Sequence, residues 1–137
     1  MGHGVAAAVQ GAVYQHLLAA AGVSALVGSA IYDALPPGNV PETYVTMGPE
    51  DVRDRSDGTG AGAEHRFTVT VITTAAGFAG ARQVAAAIGD ALIDADLVLS
   101  RGVLVGLWFD RAVAARSGSG GMVRTINLRF RARVEDN

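Results

Sequence analysis

The sequence predicts an α+β domain with element order α-β-β-α-β-β: a mainly antiparallel sheet, two helices packed on one of its faces, and a long C-terminal hairpin. Three observations predict it. Apolar residues recur at helical spacing in two stretches, residues 5–20 and 78–94. Strict alternation of apolar and polar residues occupies the end of the chain, from Thr125 to Val134. Between that alternation and an apolar run before it lies Ser117-Gly118-Ser119-Gly120-Gly121, the composition of a flexible hairpin tip.

The first helix places Val5, Val9, Ala12, Val13, His16, Leu17 and Ala20 on one face and ends near Gly22. Ser24 is positioned to cap a further short turn that Gly28 stops. Ile31 to Gly38 reads as a short extended piece running into a Pro-Gly turn. Thr43 to Met47, β-branched and aromatic, is the first sheet strand. Residues 49–63 hold almost nothing apolar, so they are expected to form a long mobile loop of the kind usually kept for function. Strand pattern resumes at His65, where Phe67, Val69 and Val71 alternate with Arg66, Thr68 and Thr70. The second helix buries Ala81, Val84, Ala87, Ile88, Ala91 and Leu92, and its alanines let it lie close to a sheet. Val103 to Ala115 is a long strand carrying the only tryptophan, Trp108, and pairs with the alternating last strand.

That last strand has two unlike faces. Ile126, Leu128, Phe130, Ala132 and Val134 are apolar; Thr125, Asn127, Arg129, Arg131 and Arg133 lie between them. Successive side chains of a strand point to opposite faces, so one face is core and the other carries three guanidiniums in a row. Like charges side by side on a sheet destabilise it, and an answering partner outside the domain is expected. That partner is either a protein surface or nucleic-acid phosphate.

Composition narrows the field. A chain of 137 residues, half of them apolar, suits one domain with a sizeable core. No apolar run reaches the ~18 residues of a membrane span, and the N-terminus lacks the basic start and cleavage site of a signal peptide. The absence of cysteine rules out disulfides, thiolate metal sites and a cysteine nucleophile, and fits a reducing compartment. Every side-chain cation other than histidine is arginine, the residue suited to interface ion pairs. The net charge of −2 is spread unevenly. Residues 101–133 hold seven arginines against Asp110 alone, whereas the first hundred hold four arginines against ten acids. Such polarity favours self-association, acidic patch against basic patch.

No constellation of catalytic or metal-binding residues emerges, and no cofactor is implied. His3, His16 and His65 stand in unrelated settings, and no serine has a nucleophile-elbow context. Gly58-Thr59-Gly60-Ala61-Gly62 precedes a strand instead of opening a helix, so it lacks the N-terminus that would hold a phosphate. Asp90 and Asp94 read as a solvated helix face. For nucleic acid, single-strand readers interleave cations with exposed aromatics; here Phe130 points away from the arginines and Trp108 sits in an apolar run. A surface that only contacts phosphates stays open as the alternative.

Several segments together carry a family likeness. A helix is followed by Gly28-Ser29-Ala30-Ile31-Tyr32-Asp33-Ala34-Leu35-Pro36, then Tyr44-Val45 before a glycine. A Gly-rich polar loop, Glu64-His65-Arg66-Phe67-Thr68-Val69, a helix after Gly77 and a final Phe130-Arg131-Ala132-Arg133-Val134-Glu135 come next. In this order the chain resembles the tail-completion (tail-terminator) proteins of long-tailed phages and gene transfer agents. It departs from their pattern at Thr43, where members often have proline before the Tyr-Val pair, and at Ile72-Thr73-Thr74, where they tend to carry an aromatic.

The resemblance implies a non-enzymatic virion part assembled in the bacterial cytoplasm. Such a protein forms a homo-oligomeric ring, typically a hexamer, at the head-proximal end of the tail. It caps the tail tube protein and offers a surface to the head–tail connector or stopper, and DNA passes through unread. On this reading Arg124, Arg129, Arg131 and Arg133 belong to a subunit or partner interface. The loop residues Asp51, Arg53, Asp54, Arg55, Asp57, Gly58, Gly60 and Gly62 are expected to contact the adjacent ring. The alternative is a DNA-contacting accessory domain using the same arginines on phosphates; a small enzymatic or ligand-binding α+β domain comes third.

Overall fold

The computed structural model describes residues 4–56 and 61–136. Its elements are α1 (Ala6–Ala19), α2 (Ala21–Val27), β1 (Ile31–Tyr32), β2 (Thr43–Asp54), β3 (Gly62–Thr73), α3 (Ala79–Leu92), β4 (Val103–Ser117) and β5 (Val123–Glu135), with a 3-10 turn at Ser119–Gly121. The strands form one sheet in the order β1-β2-β3-β5-β4, antiparallel throughout except for the short parallel pair β1 and β2. The α+β class and the C-terminal hairpin are as the sequence predicts.

Three expectations change. The helices number three among the described residues, because the expected short turn is a full helix over Ala21–Val27, with Gly22 inside it. Ala20 alone steps out of helical geometry, with ψ 114°, and the chain winds again until Gly28 ends it at φ +60°. Ser24 does not cap that helix; its hydroxyl donates to the Ala21 carbonyl at 3.2 Å. The loop expected over 49–63 is largely strand, since β2 continues to Asp54 and β3 begins at Gly62. A bulge between Met47 and Glu50 resets the register, after which Asp51 pairs with Arg66 and Arg53 with Glu64. Cross-strand charge replaces apolar alternation there, so hydropathy alone does not reveal the strands. The expected pairing of the last two strands is present, and β5 also pairs along its length with β3, which makes it a central strand.

The core lies between the helices and one sheet face. Val9, Val13 and Leu17 of α1 and Val84, Ile88 and Leu92 of α3 pack on Phe67, Val69 and Val71 of β3 and on the even positions of β5. Every buried apolar residue of the strands shares that facing, so the opposite face has no apolar layer over it. His16 is half-buried, with Nε2 2.8 Å from the Ala91 carbonyl, and ties α1 to α3 as a structural residue.

The two departures from the family pattern prove to be neighbours. Thr43 and Thr73 stand opposite each other in the β2–β3 ladder, and their hydroxyls are 2.8 Å apart. Thr73 Oγ1 also accepts from the Ala75 amide at 3.1 Å and is almost wholly enclosed. Thr43→Val keeps the shape and removes one partner, so it should cost about 1 kcal/mol, read as a lower urea midpoint at unchanged slope.

Candidate functional site: the uncovered sheet face

The uncovered face collects the charged residues of β2, β3, β4 and β5. In register, Arg133 is flanked by Glu64 and Gly106, Arg131 by Arg66 and Trp108, and Arg129 by Thr68 and Arg111. Arginine thus meets arginine across the ladder twice, which is unfavourable without compensation.

Part of the compensation is internal, contrary to the expectation of an outside partner alone. The side chain of Glu64, 15% exposed, has Oε2 3.0 Å from Arg66 Nε and 3.8 Å from Arg55 Nη2, and Oε1 3.5 Å from Arg131 Nη1. The β4 bulge between Phe109 and Arg111 inserts Asp110, whose Oδ1 lies 3.9 Å from Arg131 Nε. Arg131 also lies over the Trp108 ring, 5.7 Å from its centroid. Trp108 is therefore the aromatic that the sequence left off the basic face, and a guanidinium already occupies one side of it. Gly106 makes room: a Cβ there would meet the indole at 2.4 Å.

Arg133 is engaged as well, donating from Nη2 to the Arg55 carbonyl at 2.8 Å. A Cβ on Gly62 would lie 2.6 Å from that Nη2, so the glycine admits the contact. It closes a short connection in which the Arg55 amide bonds the Gly62 carbonyl at 2.8 Å. The Ser56 hydroxyl and amide both reach Asp54 Oδ1, at 2.6 and 3.1 Å. Of the expected loop residues, Asp51, Arg53 and Asp54 are in β2, with Arg53 Nε 3.3 Å from Asp51; Gly62 opens β3. Asp57, Gly58 and Gly60, like His3, lie outside the described residues.

Arg124 does not join the others. Its even position puts it on the helix side, where Nη1 donates to the Ala75 carbonyl at 3.0 Å. Its guanidinium approaches the Phe78 ring at 5.7 Å, beside Arg82 at 5.4 Å and Arg116 at 6.0 Å. The parity of β5 alone separates Arg124, at an even position with the apolar residues, from Arg129, Arg131 and Arg133 at odd ones.

What remains on the uncovered face is Arg129 with its β4 neighbour Arg111. Both are exposed, and neither makes an ion pair or side-chain hydrogen bond among the described residues. They border an open depression of about 340 Å³ that Pro49, Thr68, Val113 and Asn127 complete. Nothing here resembles a reaction centre. His65 is buried on the core side, and no three metal-ligating side chains converge among the described residues. No described helix is long and apolar enough to cross a membrane.

A family model described as "Tail completion protein gp17" matches residues 11–135. The chain belongs to that family. The tail completion match takes in α2, α3 and every strand, so the sheet face just described lies within it. A chain of the solved structure "Virion of native gene transfer agent (GTA) particle" is similar to this tail completion protein at 61% identity. The likeness covers 98% of this chain and 99% of that one, with a TM-score of 0.93. No curated protein matches. The likeness read from Gly28–Pro36, Tyr44-Val45 and the terminal Phe130–Glu135 segment is borne out.

Proposed function

We propose that this structural virion protein works as a ring of identical subunits, most simply six, at the head-proximal end of a tail. The ring stops growth of the tail tube, and the head–tail connector docks on it. DNA passes through its channel without being read, and no chemical step is performed. The observation that carries this reading is the tail completion match over nearly the whole fold, supported by the chain of similar sequence in a gene transfer agent virion.

The fold suits such work. A ring needs two different, complementary surfaces on each subunit, and the charge polarity along this chain supplies them. Within the arginine stripe, Arg129 is the member left for a partner, since Arg131 and Arg133 are engaged inside the subunit. Asp51, Arg53 and the connection around Arg55 lie at one end of the sheet, where they are placed to touch an adjacent ring. The alternative of a DNA-contacting domain draws no support from the comparisons.

Deleting the gene in a particle-producing host tests the reading. Tubes of uncontrolled length and heads without tails are expected, and negative stain of the purified protein with tube should show caps at one tube end. Tails of normal length joined to heads in the deletion strain would refute it.

A further inference from the structure

Among the charges that make no ion pair among the described residues, two exposed groups have opposite sign. The first is the Arg111–Arg129 pair on the uncovered sheet face, beside the exposed Val113. Other like charges on that face are interleaved with Glu64, Asp51 or Asp110, but none of these acids pairs with these two arginines.

The second group lies between α3 and β4. Asp94 and Asp96 have carboxylates without an ion pair or hydrogen bond among the described residues. Val98, two residues on, is 93% exposed, the most of any large apolar side chain described. The segment is nevertheless held in place. Leu97 is buried in the core, the Asp94 amide bonds the Leu107 carbonyl at 3.3 Å, and the Ala95 amide bonds the Leu92 carbonyl at 3.1 Å. Asp94 adopts φ +57°, uncommon for a residue other than glycine, and this turns the chain sharply out of the helix. On this fixed base Asp96 and Val98 border an open depression against α1, while Asp94 and Asp96 border another against Leu104, Val105, Gly106 and Leu107 of β4.

We propose that the Asp94–Val98 segment of one subunit docks into the Arg111–Arg129 depression of a second copy. Val98 meets Val113, and the two carboxylates answer the two guanidiniums, whose planar forks pair carboxylates well. The inference rests on the ring reading above and specifies its subunit contact. Charge complementarity selects the occupant: the arginine patch would repel another arginine patch, so a two-fold contact through it is unfavourable. The two surfaces differ, so the contact is head-to-tail, and it closes a ring where the rotation from one copy to the next returns to the first.

A charge exchange on the full-length chain tests it. Arg111→Glu with Arg129→Glu replaces one like-charge pair by another on an exposed surface, so thermal melts of the monomer should match the wild type. Incorporation into particles should fall about tenfold or more, because like charges juxtaposed across an interface cost several kcal/mol. Asp94→Arg with Asp96→Arg should do the same, and the four changes together should restore assembly. Rings or particles indifferent to the arginine exchange, or a folded fourfold variant that fails to recover, would overturn the contact and leave the ring reading standing. Wild-type protein that never forms rings, free or on tubes, overturns both. Particles that assemble at normal yield but lose packaged DNA would assign the arginines to phosphate and overturn the contact alone.

Discussion

Phe130→Ala is expected to destabilise the subunit by about 3–5 kcal/mol, the usual range for removing a buried phenylalanine ring. The ring has no solvent exposure and sits on the central strand. It stacks on Phe67, centroids 5.5 Å apart and planes 19° apart, and takes the edge of Phe109 at 5.9 Å and 73°. Because β3 and β5 are locked side by side through their ladder, the void could not close by strand movement, which favours the upper part of the range. Phe109 is 45% exposed, so its truncation should cost about 1 kcal/mol by lost area and the edge contact. Urea melts of the two variants side by side check the contrast. A loss below 1 kcal/mol for Phe130→Ala would mean that the aromatic stack contributes little to the core.

How far the chain can be read without its structure depends on where the relevant neighbour lies in sequence. The even positions of β5 and the inward positions of α3 were legible because burial on one face writes a local period. The ends of β2 and β3 were not, since Asp51, Arg53, Glu64 and Arg66 satisfy one another across strands and leave no apolar trace. The same limit hid the answer to the arginine stripe. Glu64 meets Arg131 only because β3 and β5 are adjacent, and sixty-odd residues separate them. Trp108 reads as part of an apolar run because β4 has bulges at Leu104/Gly106 and Phe109/Arg111, which break the parity that places it among the arginines. Asp94 read as part of a helix face, whereas α3 ends at Leu92 and the residue sits in the turn beyond it.

Glu64→Gln is the second large effect, expected at about 2 kcal/mol, between the value of an exposed ion pair and that of breaking a buried one. The substitution keeps volume and hydrogen-bonding shape but removes the charge that, among the described residues, pairs with Arg55, Arg66 and Arg131 together. Those guanidiniums are 37–46% exposed and keep some hydration, which lowers the figure from the fully buried limit. Asp110 at 3.9 Å would remain as a weak partner of Arg131 alone. Because the loss is Coulombic, it should shrink as salt rises from about 0.05 M to 1 M, where the screening length falls to roughly 3 Å. Phe130→Ala should show no such salt dependence, so paired melts at both ionic strengths separate the two causes. If the Glu64→Gln loss persisted undiminished at high salt, packing around the β2–β3 end, not charge, would be the reason Glu64 matters. Arg66→Leu should in turn partly rescue Glu64→Gln, since removing one of the three cations relieves the repulsion that the glutamate had balanced.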